Sequence, residues 1–293
     1  MNLVLQVMQI VAPVTALTLV GYIWARAGYE YPMEFVARLG MTVSTPCMVF
    51  VALMQTEVDP SALATVAVAA GLAYLALSLI WWGFVCVTKM ERRTYMAVMI
   101  FGNTGNVGLP IALLGFGAEG LGYGIAIFAV SCIWSFTFGA WLMTGGSSFL
   151  KMLKEPVSIA SILGGIFLWQ GWHTPVWLTN SLDLLGQMAI PIMIITLGVS
   201  ITRLTPSRLW RALYLSLLRN AVALVVAVSI GLLFGLGHAA FAVLVLQIAS
   251  PGAVTIYMLA ARHGADADAV AGIVIMSTLL SVITIPLTLA FLL

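Results

Sequence analysis

The sequence predicts an all-α polytopic membrane protein, with ten transmembrane helices arranged as two inverted five-helix repeats. Three observations carry that expectation. The chain of 293 residues is 62% apolar and only 8% charged, with a mean hydropathy of +1.11. No soluble domain of this length hides so much apolar surface, because its exterior would also have to be oil. Runs of about 20 residues without charge recur along it, the length that carries a helix across a bilayer. The roughly ten-residue alternation of a membrane barrel does not appear. Finally, the cations fall on alternate connections and prolines recur at matching places in the two halves.

The apolar segments run roughly over 3–24, 35–55, 62–88, 94–117, 121–143, 156–171, 176–200, 209–236, 239–261 and 269–292. The first has no basic residues ahead of it and no clear small-residue cleavage site, so it reads as a retained span. The second holds Pro46 in Ser44-Thr45-Pro46-Cys47, and the fourth holds FGNTGNVGLP at 101–110. The polar stretch Thr144 to Glu155 is too short to fold alone. It divides the chain into a first repeat at 1–143 and a second at 156–293, joined by a cytoplasmic linker. The seventh segment holds Pro191 in Ala189-Ile190-Pro191-Ile192, and the ninth holds Ser250-Pro251-Gly252.

All twelve Lys and Arg residues lie in or beside the connections 1–2, 3–4, 5–6, 7–8 and 9–10. The positive-inside rule then places these connections in the cytoplasm and both termini outside. Arg219, a few turns into the eighth span, is expected to snorkel to the cytoplasmic interface. Pro46 and Pro110 are 64 residues apart, Pro191 and Pro251 are 60 apart, and each pair falls in matching spans of its half. Because each half has an odd number of spans, the second must sit inverted relative to the first.

The stretch 101–110 is where function is expected. Pro110 removes a backbone donor, and Gly102, Gly105 and Gly108 withdraw side-chain support, so the helix should unwind there. Freed amides and carbonyls cannot face lipid and must line a protein-enclosed cavity. Half-helices beginning beyond Pro110 and Pro251 would then point their positive ends at one place near the midplane. That arrangement makes an anion site without a formal cation. Asn103 and Asn106, with Gly105 and Pro110, are the candidate substrate contacts from the fourth span. Ser250, Pro251 and Thr255 are those from the ninth, with Gln247 the weakest. Ser44 and Thr45 either join the site or bond carbonyls that Pro46 leaves free. Pro46, Pro191 and Gly252 complete the set of helix breakers. With no buried cation, a bound carboxylate would carry its own charge across, and an inside-negative potential favours its export by about 2.3 kcal/mol per charge per 100 mV.

The remaining chemistry is sparse. Asp183 lies toward the outer end of the seventh span and reads as structural or solvated. His173, His238 and His263 read as solvated loop residues, and Cys47, Cys86 and Cys132 as packing residues in apolar runs. No metal or cofactor and no nucleic-acid partner is expected. An enzyme would need an acid/base pair or an activated nucleophile, and neither is present in the spans. The reading is a secondary transporter of a small organic anion. An anion sensor that binds without transport is the competing class, and the short loops leave it no output domain.

The motifs also resemble those of a known family. Asn103-Thr104-Gly105-Asn106-Val107-Gly108-Leu109-Pro110 resembles the fourth-span signature of the auxin efflux carrier family. Ser250-Pro251-Gly252-Ala253, Ala260-Ala261-Arg262-His263-Gly264-Ala265-Asp266, Ser277-Thr278-Leu279-Leu280-Ser281 and Ile285-Pro286 resemble its ninth and tenth spans. Ile190-Pro191-Ile192-Met193 with Leu197-Gly198 is similar to its seventh. The resemblance implies crossed, broken helices 4 and 9, a homodimerising scaffold of spans 1, 2, 6 and 7, and a transport domain of the other six that moves as an elevator. It implies a carboxylate substrate, as for the malate and malonate permeases of the family, and a bacterial inner-membrane location. Asn103 matches the crossover asparagine that contacts substrate in the plant carriers, and Pro110 and Pro251 match the crossover prolines. The chain departs from those carriers in its short central loop and in Val49, which stands where they have a serine.

Overall fold

The computed structural model describes residues 3–139, 141–142, 156–203, 209–253, 255–257, 260 and 264–292. The linker expected at 144–155 and the residues Arg262 and His263 lie outside the described residues. The described chain is helical: α1 (Leu3–Arg26), α2 (Met33–Leu39), α3 (Thr45–Gln55), α4 (Pro60–Thr88), α5 (Arg92–Ile100), α6 (Leu109–Trp134), α7 (Pro156–Gln170), α8 (Val176–Gln187), α9 (Ala189–Arg203), α10 (Leu209–Leu233), α11 (His238–Ile248) and α12 (Ala267–Leu292). Three five-residue π-helical turns, Gly40–Ser44, Thr104–Gly108 and Ser135–Gly139, are inserted between them. Five described runs are long and apolar enough to cross a membrane: Pro60–Thr88, Thr104–Gly139, Val176–Val199, Trp210–Leu233 and Ala267–Leu292. Gly40–Gln55, Pro156–Gln170 and His238–Ile248 are shorter apolar helices.

The run Thr104–Gly139 is a hairpin rather than one rod. Gly117 holds φ 63° and ψ −152° inside α6, a conformation that side-chain-bearing residues avoid. A Cβ built on Gly105 would lie 3.2 Å from the Phe128 ring, and one on Gly124 would lie 3.1 Å from the Ala112 methyl. Residues 105 and 128 of a straight helix would stand about 35 Å apart at 1.5 Å per residue. The chain therefore reverses at Gly117, and glycine and alanine let the two arms approach closely.

Packing falls into two groups. One joins α1 to α9 and α3 to α7 and α8; the other joins α4, α5, α6, α10, α11 and α12. The first group has backbone contact at its centre. A Cβ on Gly21 would overlap the Ile195 carbonyl oxygen, and one on Gly198 would overlap that of Thr18. Small residues permit such approach where apolar burial cannot drive association.

Three of the expected helix breakers do not sit where helices stop. Pro46 lies in the first turn of α3 and Pro110 in that of α6, each just after a π-helical turn. Pro191 is the third residue of α9, following a turn at Met188. A proline in the first turn of a helix sits where its missing N–H costs nothing, and the wide π turn relieves the clash with the preceding carbonyl. The expectation that the helix unwinds up to Pro110 is thus corrected. The helical path is continuous through Gly105, Gly108 and Pro110, and the interruption lies earlier, at Phe101–Asn103.

Candidate functional site at the helix crossing

α5 stops at Ile100 because the next residues leave helical geometry. Phe101 is extended, with φ −91° and ψ 120°, and Asn103 has φ −81° and ψ 62°. On the other side α11 ends at Ile248, and Ala249 and Ser250 turn the chain into Pro251. The two interruptions meet. Gly102 and Gly252 form an isolated antiparallel bridge. Asn103 N–H donates to Pro251 O at 2.6 Å, and Ala253 N–H donates to Phe101 O at 3.3 Å.

Several backbone groups freed by the breaks find partners, as burial demands. Gly252 N–H donates to Ser277 Oγ at 2.9 Å, and that hydroxyl donates to Val274 O at 3.0 Å. Asn106 N–H donates to Asn103 Oδ1 at 3.1 Å, so Asn103 caps the helix that begins at Thr104. Ser250 Oγ donates to Gln247 O at 2.7 Å. Gly102 has no room for a side chain, since its Cβ would overlap Ser250 Oγ and lie 3.1 Å from Ser250 O.

A cavity of about 140 Å³ opens at the crossing. Asn103, Gly105, Asn106 and Thr255, four of the expected contacts, line it together with Gly102, Phe101, Ala253 and Ile256. Asn103 is 6% exposed, and its Nδ2 is buried without a hydrogen-bond partner. An unpaired buried amide donor costs roughly 1–3 kcal/mol, which a ligand acceptor would recover.

The other candidates build the crossing or lie off it. Pro110, Ser250 and Pro251 are buried and do not line this cavity. Gly108 leaves space for Gln247, which is fully buried, donates to Gly124 O at 3.3 Å and has an unpartnered Oε1. Ser44 and Thr45 are buried, and neither hydroxyl has a partner, so they do not bond carbonyls freed by Pro46. Their neighbour Met41 reaches the cavity instead. Asp183 is exposed, accepts from Gln187 Nε2 at 2.8 Å and lines a separate cavity of about 500 Å³ with Gln55, Thr56 and Pro191.

Sequence reasoning missed the contribution of the fifth apolar run. Phe128, Ser131, Cys132 and Ser135 line the cavity, and Thr104 Oγ1 of the fourth run, also in its lining, lies 3.4 Å from Ser131 Oγ. The signal was there, since Ser131 and Ser135 are four residues apart and share a helix face. Two statements about charge are corrected as well. Arg219 does not snorkel: it is 1% exposed, and it donates from Nε to Val98 O at 3.0 Å and from Nη1 to Ser250 O at 2.7 Å. Its depth follows from its place eleven residues into α10 and from the carbonyls waiting there. The crossing therefore does contain a formal cation.

The sequence pattern of the family described as "Membrane transport protein" matches the chain twice, over residues 6–148 and 143–289. The chain belongs to this family of membrane transport proteins, the auxin efflux carrier family. Two successive matches to one pattern give a member built from two repeats. An uncharacterized transporter of Methanothermobacter thermautotrophicus is 26% identical over 302 residues, covering 94% of this chain and 95% of its own. One of Methanocaldococcus jannaschii is 28% identical over 204 residues, covering 65% of each. Family and relatives make the protein a multi-pass membrane transporter.

Proposed function

We propose that the protein is a secondary transporter of a small organic anion, a carboxylate, bound where the interrupted helices cross. The observation that carries this reading is the cavity beside Gly102 and Gly252, which is lined by Asn103, a residue whose amide donor is buried and unpaired. The first turn of the helix at Thr104 also faces it with the positive end of its dipole. A volume of about 140 Å³ matches a ligand near the size of benzene, which an engineered cavity of about 150 Å³ holds. That size suits a two- to four-carbon carboxylate.

In this reading the ten apolar segments are ten spans, with both termini outside the plasma membrane. Spans 1, 2, 6 and 7 form a scaffold that pairs two copies. The other six carry the crossing between the two sides as an elevator. The packing supports that division, because α1 pairs with α9 and α3 with α7 and α8, while α4, α5, α6, α10, α11 and α12 hold one another. Export of the anion needs no coupling ion when the cell interior is negative.

The test is uptake of labelled malonate, malate and lactate into proteoliposomes. At least one should enter saturably, and Asn103→Asp should lower the rate tenfold or more by setting a carboxylate against the substrate. Saturable binding with no flux of any of the three would replace transport by sensing.

A further inference from the structure

Arg219 sits on α10 with an exposure of 1%, in a segment otherwise apolar enough to span a membrane. Its two acceptors are not arbitrary. Val98 is in the last turn of α5, and its carbonyl would accept from Gly102 N–H if that helix continued. Ser250 follows the end of α11, and its carbonyl likewise lies where that helix has stopped. One guanidinium thus caps the negative end of α5 and holds the chain just past the end of α11. Its Nη2 lies 3.3 Å from the position a Gly102 Cβ would take, so it stands directly behind a residue that lines the cavity. Among the described residues, no carboxylate pairs with it.

Resting on the transport reading, we propose that Arg219 is a positioning residue that ties the two half-helices together and gives the crossing a fixed positive charge. A crossing loaded with a monovalent carboxylate is then electrically neutral, and the empty crossing carries +1. The net charge moved per cycle remains that of the anion. The voltage-sensitive step, however, is the inward return of the empty carrier, not the outward passage of the loaded one. For a divalent anion, the loaded crossing carries −1.

The experiment compares two modes in proteoliposomes clamped with potassium and valinomycin. Net flux uses both loaded and empty crossings, whereas exchange of labelled for unlabelled anion uses loaded crossings alone. One charge moved through the whole field changes a rate by up to about 50-fold per 100 mV. With lactate as probe, exchange should be independent of voltage while net flux follows it. With malonate or malate, exchange should respond as one charge rather than two. Arg219→Gln should add one negative charge to the exchange step for any probe, and Arg219→Lys should restore wild-type behaviour. A purely structural role for Arg219 would change rates without changing this voltage response.

Should Arg219→Gln fail to fold, the wild-type comparison still decides. Lactate exchange that follows voltage, or malonate exchange that responds as two charges, overturns the assignment while leaving transport intact. Absence of flux for every probe overturns the transport reading and this one with it.

Discussion

Gly102→Ala tests the crossing more directly than any loss of a side chain, because it adds one methyl group at the closest approach of two chains. That methyl would overlap Ser250 Oγ and stand 3.1 Å from Ser250 O and 3.3 Å from Arg219 Nη2. Neither the carbonyl nor the guanidinium can retreat easily, since they are bonded to each other at 2.7 Å. The hydroxyl can move only by giving up its bond to Gln247 O. Overpacking costs about 1–3 kcal/mol and the lost hydrogen bond about 1 kcal/mol, a total of roughly 2–4 kcal/mol. Ser250→Ala alone should cost about 1 kcal/mol, since it removes the bond but leaves the Gly102 side open. The double variant should be more stable than the sum of the two, with a coupling of about 1–2 kcal/mol, because the overlapping atom is gone. Thermal unfolding in detergent followed by intrinsic fluorescence reads all four proteins. Gly102→Ala melting like the wild type, or strictly additive losses, would refute the close approach of these chains.

Gly117→Ala should destabilise by about 1–3 kcal/mol from backbone strain alone, as its φ is +63° and nothing lies within 4 Å of an added Cβ. Gly71→Ala, equally uncrowded but within α4, is the control and should melt no lower than the wild type. Gly198→Leu should separate α1 from α9, where even a methyl overlaps the Thr18 carbonyl, and should lower the melting temperature well below that of the wild type. Tyr31, in the connection between α1 and α2, has its pKa raised above 10.0 by burial, while its bond to Thr196 acts the other way. The unfolded chain therefore ionises first, and Tyr31 contributes stability below pH 10 that is lost as pH rises through its folded value. Melting temperatures between pH 9 and 11 should fall more steeply for wild type than for Tyr31→Phe.

Much of the architecture was legible because a bilayer imposes simple rules. Length and apolarity marked the helical segments, and a twofold spacing of prolines marked two repeats, which the double family match supports. Asn103, Gly105, Asn106 and Thr255 were found by asking why polar residues and glycines sit where an apolar rod is expected, and all four line one cavity. Three things escaped that logic. Proline was read as the breaker, whereas first-turn prolines at Pro46 and Pro110 follow π turns and mark where helices resume. Ser131 and Ser135 were passed over because isolated serines in an apolar helix also bond their own backbone. Arg219 was sent to the interface by its length, a rule that holds unless buried acceptors offer more than water. Such acceptors arise only when two distant segments stop beside α10, and no local pattern announces that.

In the proposed reading, the placement of Arg219 also bears on the preference for an anion. Interrupted helices leave ends of both signs there, each worth about half a charge. Left alone they sum to nothing, and two interrupted helices would attract cations and anions alike. Arg219 bonds Val98 O and Ser250 O, at two of these ends. Asn103 spends its carbonyl on one freed N–H, that of Asn106, and its amide donor is buried without a partner. The formal charge behind Gly102 is positive, and in the proposed reading an anionic substrate is its complement.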